Sequence, residues 1–134
     1  MRLFSLLYLL PTLIVAEDKI RQINLPNIPS RNLLSVTSDG SSFIWAGSDQ
    51  GLVRYDGINV DIFRSNPFSS TSLSGNRVWF LDSYNADTLI AVTDNAIHLY
   101  SKKNYEFEKF KINSRPTNYF KVDNEIWITT LSDG

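Results

Sequence analysis

Ile44-Trp45-Ala46-Gly47-Ser48-Asp49-Gln50-Gly51-Leu52-Val53-Arg54-Tyr55 falls, after a shift of 45 positions, on Leu89-Ile90-Ala91-Val92-Thr93-Asp94-Asn95-Ala96-Ile97-His98-Leu99-Tyr100. Each copy reads as a strand, a tight turn and a second strand: a short apolar run, a hydroxyl with Asp and an amide residue, then an apolar run closing on Tyr. The same shift sets Leu33-Leu34-Ser35-Val36 on Val78-Trp79-Phe80-Leu81. A third copy opens at Glu125-Ile126-Trp127-Ile128-Thr129-Thr130, where the step from Ile90 to Trp127 shortens to 37. The repeat has drifted, because Val92 stands where the first copy has Gly47, and Ala96 where it has Gly51.

Working outward, runs rich in Val, Ile, Tyr, Phe and Trp alternate with clusters of Gly, Asn, Asp, Ser and Pro. No long segment holds the period of a helix. The pattern predicts strands at 33–37, 43–47, 52–55, 61–64, 78–82, 88–93, 96–100, 107–112, 119–122 and 125–130. Four strands in about 40–45 residues is the arithmetic of one propeller blade. Such a blade is a twisted antiparallel sheet whose faces are buried only by its neighbours. The expected fold is therefore an all-β, incomplete β-propeller of about two and a half four-stranded antiparallel blades, against the four to eight of a closed ring. The divisions expected are a signal peptide at 1–16, a linker at 17–29, blades at 30–72 and 73–115, and a truncated blade at 116–134. Trp45 and Trp127 are expected to face inward, and Gly47 to admit a neighbouring backbone.

The first sixteen residues differ from the rest. Arg2 supplies a positive start, residues 3–15 are apolar but for Ser5, Pro11 and Thr12, and Ala16 precedes Glu17-Asp18. That order predicts a secretory signal peptide cleaved after Ala16, with an uncleaved N-terminal anchor as the other reading, and the run is short of the roughly 20 residues of a membrane span. The expected location is periplasmic or otherwise extracytoplasmic.

Thirteen basic and fourteen acidic residues give a net charge of −1. They are scattered, so no one-signed field draws nucleic acid or anionic lipid. Without cysteine there is no disulfide or thiolate zinc site, and His98, the only histidine, cannot build a His-rich metal centre. No metal or cofactor is expected.

Phe43-Ile44-Trp45-Ala46-Gly47-Ser48-Asp49-Gln50-Gly51-Leu52-Val53-Arg54-Tyr55-Asp56-Gly57 resembles the signature of the two-component regulator propeller repeat. Ser72-Leu73-Ser74-Gly75-Asn76-Arg77-Val78 resembles the linker that precedes the next repeat in that family. The resemblance spans 30–134, weakly in the middle copy. It implies the start of a periplasmic sensor whose propeller precedes a further β-domain, a membrane helix and a cytoplasmic histidine kinase or diguanylate cyclase. It also implies an extracytoplasmic ligand, with carbohydrate as the class, and as partners the remaining blades and a membrane-linked output module.

Other chemistry weighs less. Asp39-Gly40, Asp56-Gly57 and Asp133-Gly134 lack the alternating oxygen ligands of a calcium loop and read as turns. Asp39-Gly40-Ser41-Ser42-Phe43-Ile44-Trp45 approaches the Asp-box of sialidases, but its Asp and Gly are adjacent rather than separated by one residue. Ser35, Ser48 and His98 are nucleophile and base types without a Gly-x-Ser-x-Gly elbow, and His98 falls on a strand opposite Val53 in the alignment. Lys102, Lys103, Lys109, Lys111, Arg115 and Lys121 interleave with Tyr105, Phe107, Phe110, Tyr119 and Phe120. That run reads as an outer strand guarded by lysines, with a glycan contact as the other reading. The sequence thus predicts a binding and signal-input module with no catalytic residues, its ligand-binding residues unknown. The alternatives are the start of an exported propeller enzyme, such as a glycosidase or lyase, and a truncated product without function.

Overall fold

The computed structural model describes residues 22–25, 27–123 and 125–131, so the signal peptide expected at 1–16 and the turn expected at Asp133-Gly134 lie outside the described residues. The described chain is all-β. Ten strands run β1 (Leu33–Ser38), β2 (Ile44–Ser48), β3 (Gly51–Tyr55), β4 (Val60–Phe63), β5 (Val78–Asn85), β6 (Thr88–Thr93), β7 (Ala96–Ser101), β8 (Glu106–Lys111), β9 (Pro116–Val122) and β10 (Glu125–Thr130). They form two four-stranded antiparallel meanders, β1-β2-β3-β4 and β5-β6-β7-β8, and a β9-β10 hairpin.

The repeat is written into the strand register. Leu33 pairs Ser48 and Ser35 pairs Gly47, leaving Leu34 as the extra residue of a bulge. Forty-five positions on, Val78 pairs Thr93 and Phe80 pairs Val92, leaving Trp79. In the hairpin, Pro116 pairs Thr130 and Asn118 pairs Thr129, leaving Thr117. One β-bulge thus recurs at the start of all three leading strands. Pro116 fits there because the first residue of a strand tolerates a missing N–H. The turns repeat as well, for Ser48 Oγ donates to the Gly51 carbonyl at 2.8 Å and Thr93 Oγ1 to that of Ala96 at 3.2 Å. Only the fourth strand slips: Leu52 pairs Phe63, but Ile97 pairs Phe110, two positions beyond the shift. The cause is a β7–β8 turn that closes one residue later, between Ser101 and Glu106 instead of the equivalents of Tyr55 and Val60.

Directly paired residues share a sheet face. On the first sheet, Thr37, Trp45 and Arg54 share the face turned to the second sheet. Trp45 there meets Tyr100 at 5.2 Å between centroids and Phe63 at 5.7 Å, while Phe107 lies 4.7 Å from Tyr100. Trp45, Leu52, Leu89, Ala91 and Tyr100 form one core cluster with no exposed surface. Gly47 is what lets the sheets close. A Cβ built on it would stand 2.8 Å from both the carbonyl oxygen and a methyl of Val78. Its counterpart Val92 carries a side chain, and the hairpin is held off by side-chain contacts instead. Tyr119 Oη donates to Asp82 at 2.9 Å, its ring lies 6.3 Å from Phe80, and Lys121 Nζ donates to the Ser83 and Tyr84 carbonyls at 2.9 Å.

The two inward-facing expectations separate. Trp45 is fully buried, and Trp127 is 59% exposed.

Candidate functional site

The recurring bulges bring a set of polar side chains to one rim of the sheets. Asn32, Arg77 and Arg115 each stand one residue before the leading strand of a sheet, and Leu34, Trp79 and Thr117 each fill its bulge. The turns after the second strands add Asp49 and Asp94 beside them. At the centre is Trp79. Its indole N–H donates to Asp94 Oδ1 at 2.7 Å, and the guanidinium carbons of Arg115 and Arg77 lie over the ring at 4.2 and 5.4 Å. Each such contact contributes about 0.5–1 kcal/mol at an exposed site, enough to orient a side chain and too little to consume its hydrogen-bonding capacity.

That capacity remains free. Among the described residues neither Arg77 nor Arg115 forms an ion pair or donates a hydrogen bond. Asp49 accepts from Asn32 Nδ2 at 3.4 Å through Oδ2. Hydrogen bonding from Ser30 leads the effects that hold the Asp49 carboxyl below its usual range, with Asn32 and the charge of Arg77 adding to it. The rim therefore offers two guanidinium forks, the carboxylates of Asp49 and Asp94 and an oriented indole, with positive and negative charge in equal number. Donors and acceptors of this kind suit polar ligands that both donate and accept hydrogen bonds.

The residues the sequence analysis weighed for chemistry are dispersed. Ser48 Oγ is spent inside its turn, donating to Gly51 and accepting from the Gln50 N–H. Ser35 Oγ is buried against Gly47 without a partner. Neither meets His98. The serine that does is Ser74, whose Oγ lies 3.0 Å from His98 Nε2, with Thr93 Oγ1 at 3.3 Å. Burial, and then the nearby Lys109 charge, lower the His98 pKa to about 4. The imidazole is therefore neutral, and its Nδ1 has no partner. A nucleophile–base pair needs a third group to orient the base and stabilise its charged form, and among the described residues none bonds His98 Nδ1. His98 is a core residue opposite Ala91, as its strand position predicts.

Asp39 is a clamp. Its carboxylate accepts from the Ser41 N–H at 3.0 Å, from Ser41 Oγ and from Trp45 Nε1 at 3.0 Å, and Lys102 Nζ stands 3.5 Å away. Burial pushes its pKa up, but these hydrogen bonds and the Lys102 charge outweigh burial and leave it below the ordinary 3.8. Asp56 accepts from the Ile58 and Asn59 N–H groups as an Asx turn. Among the described residues no cluster of three His, Cys, Asp or Glu could hold a metal ion. The lysine-aromatic run does not make one surface: Lys102 binds Asp39, Lys121 binds carbonyls of β5, Arg115 lies on Trp79, and Lys109 and Lys111 guard β8 at a sheet edge.

Sequence analysis singled out neither Trp79 nor Arg77 as a site, and took Arg115 as part of a charge run. The signal that could have found them is positional, since the repeat sets Leu34 on Trp79 and Asn32 on Arg77.

The fold recurs in a solved structure. The extracellular domain of the hybrid two-component system protein BT3049 from B. thetaiotaomicron superposes with a TM-score of 0.63 at 18% sequence identity, over 72% of this chain and 15% of that one. The likeness is one of fold, and this chain spans a small part of the length of that domain. No family model and no curated protein matches the chain. No helix among the described residues is long and apolar enough to cross a membrane.

Proposed function

We propose that this chain belongs to the ligand-sensing part of an extracytoplasmic β-propeller, with blades at 30–72 and 73–115 and a third beginning at 116, and that it binds without catalysing a reaction. The observation that carries the reading is the repetition of one bulge and one face assignment in three successive sheets. Sheets related in this way stack around an axis, with leading strands together and their rims forming one mouth. The likeness to the extracellular domain of a hybrid two-component system supports a sensory setting. In that setting a propeller outside the inner membrane is coupled through a membrane segment to a histidine kinase or diguanylate cyclase, and ligand binding shifts the relative packing of these parts.

The ligand site is the rim at Arg77, Trp79 and Arg115, and its mixture of donors, acceptors and indole suits a saccharide. Isotope-edited NMR of the full chain, titrated with a panel of neutral, carboxylated and sulfated oligosaccharides, tests it. A binder is expected to move the Trp79 indole N–H resonance, and Arg77→Ala or Arg115→Ala should weaken it at least tenfold without changing the thermal midpoint. A saccharide that binds while leaving the Trp79 resonance in place, or with affinity unchanged in both variants, would refute the assignment. Release of new reducing ends during the titration would refute the absence of catalysis.

A further inference from the structure

A second cavity opens at the outer strand of the second sheet, where that sheet faces the first, and we propose that it binds a sulfate or phosphate group. Ser74, Asn95, Ala96, Lys109 and Lys111 line it, around a volume of about 270 Å³. Sites for drug-sized ligands begin at roughly 300 Å³, so this one suits a small group. By register, Ala96 shares a face with Lys111, His98 with Lys109 and Tyr100 with Phe107. Tyr100 there meets Trp45 of the first sheet, which places all six on the face turned to that sheet. Ser74 comes from the connection between the two sheets. Both sheets of this junction and the segment joining them are described, so the cavity belongs to a completed junction.

The cavity is positive and uncompensated. Lys109 and Lys111 stand two positions apart on one face, no carboxylate lines the space, and among the described residues neither lysine forms an ion pair. Lys109 donates one long hydrogen bond, of 3.5 Å, to the Ser69 carbonyl. Neighbouring like charges on a sheet are destabilising, and an anion between them removes that cost. Ammonium groups act as compact point charges that suit phosphate-like oxyanions. The neutral wall is held in place beside them. Ser74 Oγ donates to Asn95 Oδ1 at 2.9 Å and lies 3.0 Å from His98 Nε2, while Asn95 Nδ2 donates to the Ser74 carbonyl at 3.3 Å and keeps its other N–H. Packing alone does not require this arrangement. Where the second sheet pairs His98 with Lys109, the first pairs Val53 with Ile62 at the equivalent positions, and an apolar pair serves there. Guarding an edge accounts for charge on β8, but not for a buried histidine holding a serine at the wall of a cavity.

His98 is the only histidine, it bonds the cavity wall, and the charge of Lys109 reaches its ring, so its ring resonances report on this site. The test follows them in the full chain at pH 7, where the imidazole is neutral. The titrants are sodium sulfate, sodium phosphate and, at matched ionic strength, sodium chloride. Glucose 6-sulfate, with glucose as its control, asks whether the group is recognised on a saccharide. Sulfate and phosphate are expected to move the His98 resonances saturably, and chloride and glucose to leave them in place. Lys109→Ile, which copies Ile62, and Lys111→Met should each weaken sulfate binding about tenfold, the scale of one charge-assisted hydrogen bond. Lys103→Met, in the β7–β8 turn outside the cavity, should not, and circular dichroism checks the folding of all three. Tighter binding of glucose 6-sulfate than of sulfate assigns the site to an esterified group, and equal or weaker binding assigns it to the free ion. Three oxyanion titrants that all leave His98 unmoved, chloride or glucose moving it as far as they do, or sulfate affinity unchanged in both cavity variants would overturn the proposal. The rim reports through the Trp79 indole N–H, so the two sites are scored separately.

Discussion

Trp45 and Tyr100 lie with ring centroids 5.2 Å apart and planes at 61°, one from each four-stranded sheet, and neither has exposed surface. This edge-to-face pair is the centre of the junction between the sheets, and the register places Trp127 where Trp45 stands. The same residue type therefore occupies a covered and an uncovered copy of one position, which makes the energetics of stacking measurable within a single chain.

Trp45→Ala should destabilise the fold by about 3–5 kcal/mol, the cost of emptying a packed aromatic site, and it also leaves Asp39 without its indole partner. Trp127→Ala should cost under about 0.5 kcal/mol, as expected of an exposed side chain. Urea unfolding of the two variants at low protein concentration checks the contrast.

Tyr100→Phe should stabilise. The Tyr100 hydroxyl is buried without a hydrogen-bond partner, whereas its equivalent Tyr55 donates to the Gly57 carbonyl at 2.6 Å. Deleting an unsatisfied buried hydroxyl removes a desolvation cost of about 1–3 kcal/mol, and Tyr55→Phe should instead lose up to about 1 kcal/mol. Thermal midpoints moving in opposite directions are the expected result.

Gly47→Ala should cost about 1–3 kcal/mol by overpacking. The new methyl would meet the main-chain oxygen of Val78, which cannot swing aside as a side chain can. Val92→Ala, at the equivalent and fully buried position, should lose the transfer energy of its methyls and a cavity term, and leave the first junction untouched. Denaturant titration reads both losses, and a Gly47→Ala variant as stable as wild type would argue against a close approach at Gly47.

His98 links stability to pH. Its folded pKa, about 4, lies below the ordinary 6.5, so the unfolded chain binds the proton more readily. The stabilisation from a neutral His98 is complete above about pH 6.5 and is lost as pH falls through 4, a change on the order of 3 kcal/mol. His98→Val, which copies Val53 of the first sheet, should flatten stability between pH 6.5 and 4, as read by urea midpoints across that range.

Much of this fold was legible in the sequence because strand periodicity and turn chemistry are local. All ten strands appear where alternation predicts them, and the 45-residue shift reproduces the pairing of the first three strands of each sheet. The close approach at Gly47 was legible from its lack of a side chain. The bulges were not, because one extra residue in a strand shows only against its partner. The slip of β8 depends on where a turn closes, which its residues leave open. The rim at Trp79 was hidden for a different reason: Arg77 and Arg115 are 38 positions apart, and only the stacking of the hairpin on the second sheet brings both to one ring. In the third copy, Pro116 for Leu33 and Thr129 for Gly47 obscured the equivalence that the register shows.

The claim that these sheets stack face upon face in one repeating register is tested most directly by nuclear Overhauser contacts in dilute solution. Cross-peaks between the Trp45 indole and the Tyr100 ring, and between the Gly47 α-protons and the Val78 methyls, are predicted, with no contact from the Trp127 ring to either sheet. A Trp45 ring lacking contacts to Tyr100, or a Trp127 ring with contacts to the core of its own chain, would contradict the account.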